Sequence, residues 1–352
     1  EEEEQEEEED DQKNGANVEP SDENVAKIGS GVAEHQTSRG FLCDPSGFAL
    51  PKLQVLGAQK SGTTTLFVDL HTTLSPRKDL TCHGLKPWGC KESTFFNWPQ
   101  GRRYYELWGP CSRVRRGKVI ADFSVGNLKW PYAAQGMHEE YGELAKDLVL
   151  VVGLRHPLNR MLAAFAHGLR ENWLYIPSDR ERTFEDHCRY FLQEWDRRGE
   201  GWLPELWRDL TFRTVDQSLY GYKLRLWLDA GFHPSQFIIF PGNVYLKHRD
   251  DSENNPLLQA LRTKLGSQYL RPKTVQTAKV FNQGHNHDTA DHDLQDAHVR
   301  DRLNNEIFAP SNRALVKLLS EGAQAGMTLV GYSGEATDLA ALEKWLQDNW
   351  DY

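Results

Sequence analysis

The chain has 352 residues, of which 39% are hydrophobic and 26% charged, a globular balance. It contains no apolar run of 18 residues and no signal-peptide core, which excludes a spanning helix or a retained signal sequence within this stretch. The formal net charge of -10 belongs to residues 1–24, which carry 13 of the 51 acids and one lysine; the remainder, with 38 acids and 40 bases, is near neutral.

Residues 1–50 read as an acidic disordered tail and lead-in, because "EEEEQEEEEDDQKNG" offers no apolar surface to bury. Residues 51–352 read as one folded domain. Leu53, Val55 and Leu56 form a first buried strand, then "GAQKSGTTTL" turns the chain, and Leu66, Phe67 and Leu70 follow at helical spacing. "KVIADFSV" (118–125) and "DLVLVVGLRHP" (147–157) are second and third strands. Leu158, Met161, Leu162, Phe165 and Leu169 mark a helical face behind the third. "LYGYKLRLWLDAGF" is an amphipathic helix stopped by Gly231, and Phe237–Phe240 is a fourth strand ended by Pro241-Gly242. Two further helices are expected on either side of Ala309-Pro310, with a terminal one over Asp338–Trp350. Strands alternating with helices predict an α/β fold, a parallel sheet flanked by helices with ligands beyond the strand C-termini.

A strand, a small-residue turn and a helix start make an anion site, since unpaired N–H groups and the positive end of the helix dipole converge there. A nucleoside-triphosphate loop needs G-x-x-x-x-G-K-[ST]. Thr63 stands where that lysine belongs, and Lys60 comes before Gly62 instead. A nucleotide kinase or ATPase is therefore disfavoured. "GAQKSGTTTL" resembles the 5′-phosphosulfate loop of sulfotransferases that use 3′-phosphoadenosine-5′-phosphosulfate (PAPS). "LRHPLNRMLAAF" is similar to that family's 3′-phosphate segment. "KESTFF" (91–96) and "SLYGYKLRLWLDAGFHPSQFIIFPGNVYL" resemble segments of its Golgi carbohydrate, heparan-sulfate-like branch. The likeness runs from about Pro51 to Leu319 and implies the P-loop-like sulfotransferase fold.

The resemblance implies a role for each matching residue. Gln59, Lys60, Ser61, Gly62, Thr63, Thr64 and Thr65 would hold the 5′-phosphosulfate. Lys60 would also meet charge growing on the bridging oxygen. Glu92 would be the general base for the acceptor hydroxyl, with His71 and His83 as rivals. Lys91 would keep Glu92 ionised or touch an anionic acceptor, Arg155 would fork onto the 3′-phosphate, and Arg160 would assist it or face solvent. Asp122 and Ser124 are candidates for cofactor or acceptor contact. The chain departs from the family pattern at Ala163, where a serine normally shares the 3′-phosphate, at Phe123, and in residues 281–293, where a Lys-Gly nucleotide loop is usual.

The five cysteines form no C-x-x-C pair or zinc spacing, and Cys82 and Cys90 are the plausible disulfide if the compartment is oxidising. His285, His287, His292 and the aspartates around them match no established metal spacing, so no metal is expected. Trp173, Trp202 and Trp207 lie in "ENWLYIP" and "EWDRRGEGWLPELW" or beside them, segments suited to line a sugar acceptor. The expected partners are PAPS and a hydroxyl acceptor, a carbohydrate by resemblance, with no nucleic acid and no membrane contact within this chain. The alternatives are a lipid, polyketide or other small alcohol as acceptor, or a noncatalytic nucleotide- or glycan-binding protein on the same fold. Glu1 in place of Met reads as a cut or processed product. A Golgi lumenal location is what the resemblance implies if an upstream anchor was removed.

Overall fold

In strands β3 (Leu53–Gly57), β5 (Val149–Leu154) and β6 (Phe237–Pro241) every residue is buried, as expected for the middle of a sheet covered on both faces. The computed structural model describes residues 40–70, 74, 91–97, 104–114, 117–270 and 294–350. Its main sheet has five strands in the order β4-β3-β5-β6-β7, where β4 is Ala121–Asp122 and β7 is Thr328–Leu329, and every pairing is parallel. Period-2 alternation sorts the side chains between two cores. Leu150, Val152 and Leu154 of β5 and Phe237 and Ile239 of β6 point to one side. That side is covered by α2 (Pro131–Tyr141), α6 (Tyr220–Asp229), α10 (Ala309–Gln324) and α11 (Leu339–Trp350). Val149, Val151, Ile238 and Phe240 point to the other, under α1 (Thr63–Leu70), α7 (Gly242–Lys247) and α8 (Pro256–Leu265).

A third core lies beside the sheet, where α3 (Pro157–Arg170) and α4 (Phe184–Arg198) pack with the short α5 (Arg213–Asp216) and α9 (Ala297–Arg302). The chain runs from β3 to β4 on one side, then returns to place β5 on the other. The strand order therefore reverses at β3, and the crevice beyond its C-terminal end is the topological switch point where open α/β sheets bind ligands.

Two sequence expectations are corrected, the start of the folded body and the break at Pro310, and a disulfide outside the expected pair is found. The folded body reaches back before Pro51, because β1 (Phe41–Cys43) and β2 (Ala49–Pro51) pair antiparallel and bury Phe41, Leu42, Ala49 and Leu50 in the first core. Cys43 is bridged to Cys111, with Cα atoms 6.1 Å apart, and Cys188 is a buried free thiol. Cys82 and Cys90 lie outside the described residues. Pro310 does not divide two helices. It sits in the first turn of α10, after a π-helical stretch over Leu303–Phe308 that carries the chain from α9 without a break.

Candidate phosphate-binding site at the end of β3

The turn between β3 and α1 is closed by two backbone bonds, Ala58 N–H to Gly153 O at 2.9 Å and Ser61 N–H to Ala58 O at 3.2 Å. It needs backbone of unusual hand: Lys60 has φ +71° and Gly62 φ +81°. A side chain at Gly62 would be strained by that φ, yet its Cβ would meet nothing within 4 Å. The turn is therefore open above Gly62, over the start of a helix whose first N–H groups have no intrahelical acceptor. Gly153 has the opposite reason to be glycine. A Cβ there would stand 2.8 Å from Phe240 Cζ and 3.2 Å from Ser61 O, so the turn rests directly on β5.

Three cations approach this cradle from different segments. Lys91 is buried, and its Nζ donates to Thr63 Oγ1 at 3.3 Å, Thr64 Oγ1 at 3.2 Å and Glu92 Oε1 at 3.1 Å. Arg155, just past β5, donates from a guanidinium nitrogen to Lys60 O at 3.3 Å, and Tyr220 O–H donates to Arg155 O at 3.0 Å. Lys60 itself is pulled down to about 8, by burial first and then by the charges of Arg170, Arg155 and Lys91, with Glu171 opposing. Burial also lowers Lys91, against the pull of Glu92. A bound anion would relieve the repulsion among these cations.

The segment carrying Glu92 is held by Asp122, a buried carboxylate at the end of β4. Asp122 accepts from Tyr104 O–H at 2.7 Å, Ser124 O–H at 2.6 Å, Ser124 N–H at 3.0 Å, Ser93 N–H at 3.2 Å and the Ser93 hydroxyl. Ser124 Oγ in turn accepts from Thr94 N–H at 2.8 Å. The strand end thus fixes residues 93–94, and through them places Glu92, one-third exposed, at the edge of the site.

These contacts sort the sequence candidates. Lys60, Glu92, Thr63, Thr64, Gly62, Lys91 and Arg155 lie at one strand edge. Lys91 is an internal strut tying Glu92 to the turn, not a solvated charge, and Ser124 and Asp122 position residues 93–94 from the interior. The N–H of Ser61 closes the turn, and Thr65 is buried. Gln59 faces a small cavity beside Lys129. Arg160 does not reach solvent: it is fully buried, donating to Ser218 Oγ at 2.7 Å, to Gln217 Oε1 at 3.2 Å and to Thr214 O, and burial lowers it to about 10. His71, His83 and residues 281–293 fall outside the described residues, among which no group of three His, Cys, Asp or Glu is placed to hold a metal.

Sequence reasoning missed His167 and Arg170, whose charge acts on Lys60 ahead of that of Arg155. Arg170 bonds to His167 Nδ1 at 2.8 Å, and burial, then Lys60 and Arg170, hold His167 down at about 4. The signal was helical spacing: Ala163, His167 and Arg170 share one face of α3. Where the expected serine is absent, the next turns bring a ring nitrogen and a guanidinium to the neighbourhood of Lys60.

No protein-family model matches this chain, and no curated protein matches it. Among solved structures, similarity is found to the crystal structure of a sulfotransferase from Alicyclobacillus acidocaldarius. The identity is 19%, the TM-score 0.45, and the match covers 77% of this chain and 96% of that one.

Proposed function

We propose that this protein transfers a sulfuryl group from PAPS to a hydroxyl of a carbohydrate acceptor. The observation that carries the reading is the convergence of Lys60, Lys91, Arg155 and Arg170 on a turn left open above Gly62 at the switch point of the sheet. The residues fit a 5′-phosphosulfate: the α1 N-terminus and Thr64 offer donors to the phosphate, and Lys60 offers an ammonium where the departing bridging oxygen gathers charge. Arg155 and Arg170 are the cations assigned to the 3′-phosphate. Glu92 is assigned the acceptor's proton, and Lys91 Nζ, 3.1 Å from its carboxylate, holds it in place. The Cys43–Cys111 bridge supports an oxidising compartment, such as a secretory lumen.

Calorimetry with 3′-phosphoadenosine-5′-phosphate, ATP and 5′-AMP tests the reading. The 3′-phosphorylated nucleotide is expected to bind best, and Lys60→Ala to weaken it by roughly ten- to hundredfold, the worth of a hydrogen bond to a charged group. Equal affinity for 5′-AMP would mean that Ala163 marks a lost 3′-phosphate site.

The lowered Lys60 also gives binding a pH dependence. A bound polyanion favours the ammonium, so the Lys60 pKa rises from about 8 toward its ordinary value on binding. Nucleotide affinity is then complete below pH 8 and falls above it, by roughly ten- to thirtyfold at pH 9.5, with proton uptake on binding in that window. Lys60→Ala is expected to remove both the loss and the uptake. A wild-type affinity constant from pH 7 to 9.5 would count against an ammonium at the phosphate.

A further inference from the structure

We propose that the small cavity beside Gln59 is an internal site for one halide ion, held by the Lys129 ammonium and the Gln217 amide. The proposal is independent of the sulfuryl-transfer reading. Three segments enclose the cavity: Ala58 and Gln59 of the turn after β3, Val125, Leu128 and Lys129 of the chain after β4, and Gln217 and Lys223 from the end of α5 and from α6. Its volume is about 10 Å³, room for one water or one ion of similar size and none for a phosphate or a sugar.

Charge is the first observation. Four cations, Lys129, Arg160, Arg213 and Lys223, act here against one buried carboxylate, Asp216. Asp216 is already engaged by Lys223 Nζ at 2.5 Å. Glu92 also acts on Lys129, but it is bonded to Lys91 at 3.1 Å. Arg160 answers its charge with neutral oxygens of Ser218, Gln217 and Thr214. Lys129 Nζ lies 5.1 Å from the centre of the Trp130 ring, with the Arg213 guanidinium 5.5 Å from the same ring. No oxygen among the described residues accepts a hydrogen bond from that ammonium. Burial first, then Arg213 and Arg160, lower Lys129 to about 8. Cations gathered in surplus away from water are costly unless an anion joins them.

Unspent donors are the second observation. Gln217 is 4% exposed, and its Oε1 accepts from Arg160 at 3.2 Å, which fixes the amide and leaves Nε2 as the end without a partner. Gln59 Oε1 is also buried and unpartnered, and a half-turn of that amide presents its NH2 group instead. A water would satisfy the two amides but leave the surplus of positive charge. A halide accepts from both NH2 groups and from the ammonium, and supplies the missing charge. The volume excludes larger anions, so the site selects by size as well as by sign.

Crystals of the full chain grown with bromide, measured at the bromine absorption edge, test the assignment. One anomalous peak is expected between Gln59, Lys129 and Gln217. In solution, sodium bromide is expected to raise the denaturant midpoint saturably over sodium gluconate at equal ionic strength, because gluconate is too large to enter. Lys129→Gln should raise the half-saturating bromide concentration by roughly ten- to hundredfold, the worth of a hydrogen bond to a charged group. Gln217→Glu keeps an oxygen for Arg160 and carries its own negative charge into the cluster. It should therefore abolish the peak and the bromide response without lowering the midpoint in gluconate. Lys317→Gln, a loss of charge at an exposed position of α10, should leave the response unchanged. Density in the cavity without an anomalous signal would make the occupant a water and overturn the proposal. A bromide response that neither Lys129→Gln nor Gln217→Glu alters would overturn it too. None of these readouts depends on the nucleotide, so the halide site stands or falls apart from sulfuryl transfer.

Discussion

Glu92→Gln is expected to lower turnover by roughly a hundred- to ten-thousandfold, the usual worth of a positioned general base, with nucleotide affinity close to wild type. The amide keeps the shape of the carboxylate and an oxygen for Lys91 Nζ, now 3.1 Å away, but it cannot take a proton. The fold should not notice the change, because residues 93–94 are held by Asp122 and Ser124, not by Glu92. Radiolabelled PAPS with any polysaccharide that the wild-type protein labels is the assay, and turnover and nucleotide affinity must be read on the same sample. Full activity in the variant would move the base elsewhere and reduce Glu92 to a partner of Lys91. A protein that only binds nucleotide or glycan would show no turnover in either form.

How much of this was legible in the sequence depends on the range of the interaction concerned. The strand over Leu53–Gly57, the turn and the helix after it were readable because apolar period and turn residues are local signals. The same holds for the third and fourth strands, whose buried runs reappear within a residue or two. What failed was long-range. The sequence did not show that the Ser124 hydroxyl bonds Asp122 and the Thr94 N–H, 30 residues away. For Arg160, read as an aid to Arg155 or as a solvent-facing residue, the solvent-facing reading fails because the chain after α5 brings Gln217 and Ser218 over it. No local spacing pointed to the Cys43–Cys111 bridge, which spans 68 positions. The hairpin over Phe41–Pro51 was hidden because its three-residue strands are too short to show a period. Lys129 and Arg213 belong to no motif; only the folded packing of Trp130 brings them together.

The largest expected loss of stability lies behind the turn between β3 and α1, at Asp69. This residue lies in the last turn of α1, where a carboxylate opposes the helix dipole, and it is completely buried. Both unfavourable features are offset by Arg249, which grips it in a two-pronged pair, Nε to Oδ2 and an amino nitrogen to Oδ1, each at 2.7 Å. Tyr245 O–H adds a third donor, and burial with the neighbouring Asp69 charge pushes that phenol upward. Asp69→Asn removes the charge but leaves the Arg249 guanidinium buried, so the expected cost is about 3–5 kcal/mol. Denaturant unfolding at neutral pH measures it, and a loss below about 1 kcal/mol would show that Arg249 finds water or another acceptor when Asp69 is neutral. Asp69→Leu with Arg249→Met and Tyr245→Phe separates a missing partner from a missing charge pair: three apolar side chains should recover most of the loss, because none leaves a charge or the Tyr245 hydroxyl stranded. The pair also fastens α1 to the chain just beyond α7, and α1 supplies the N-terminus over which the proposed cofactor's phosphate would be held. Saturating 3′-phosphoadenosine-5′-phosphate is therefore expected to stabilise Asp69→Asn by binding only its folded form, about 2.7 kcal/mol at a hundredfold excess over Kd.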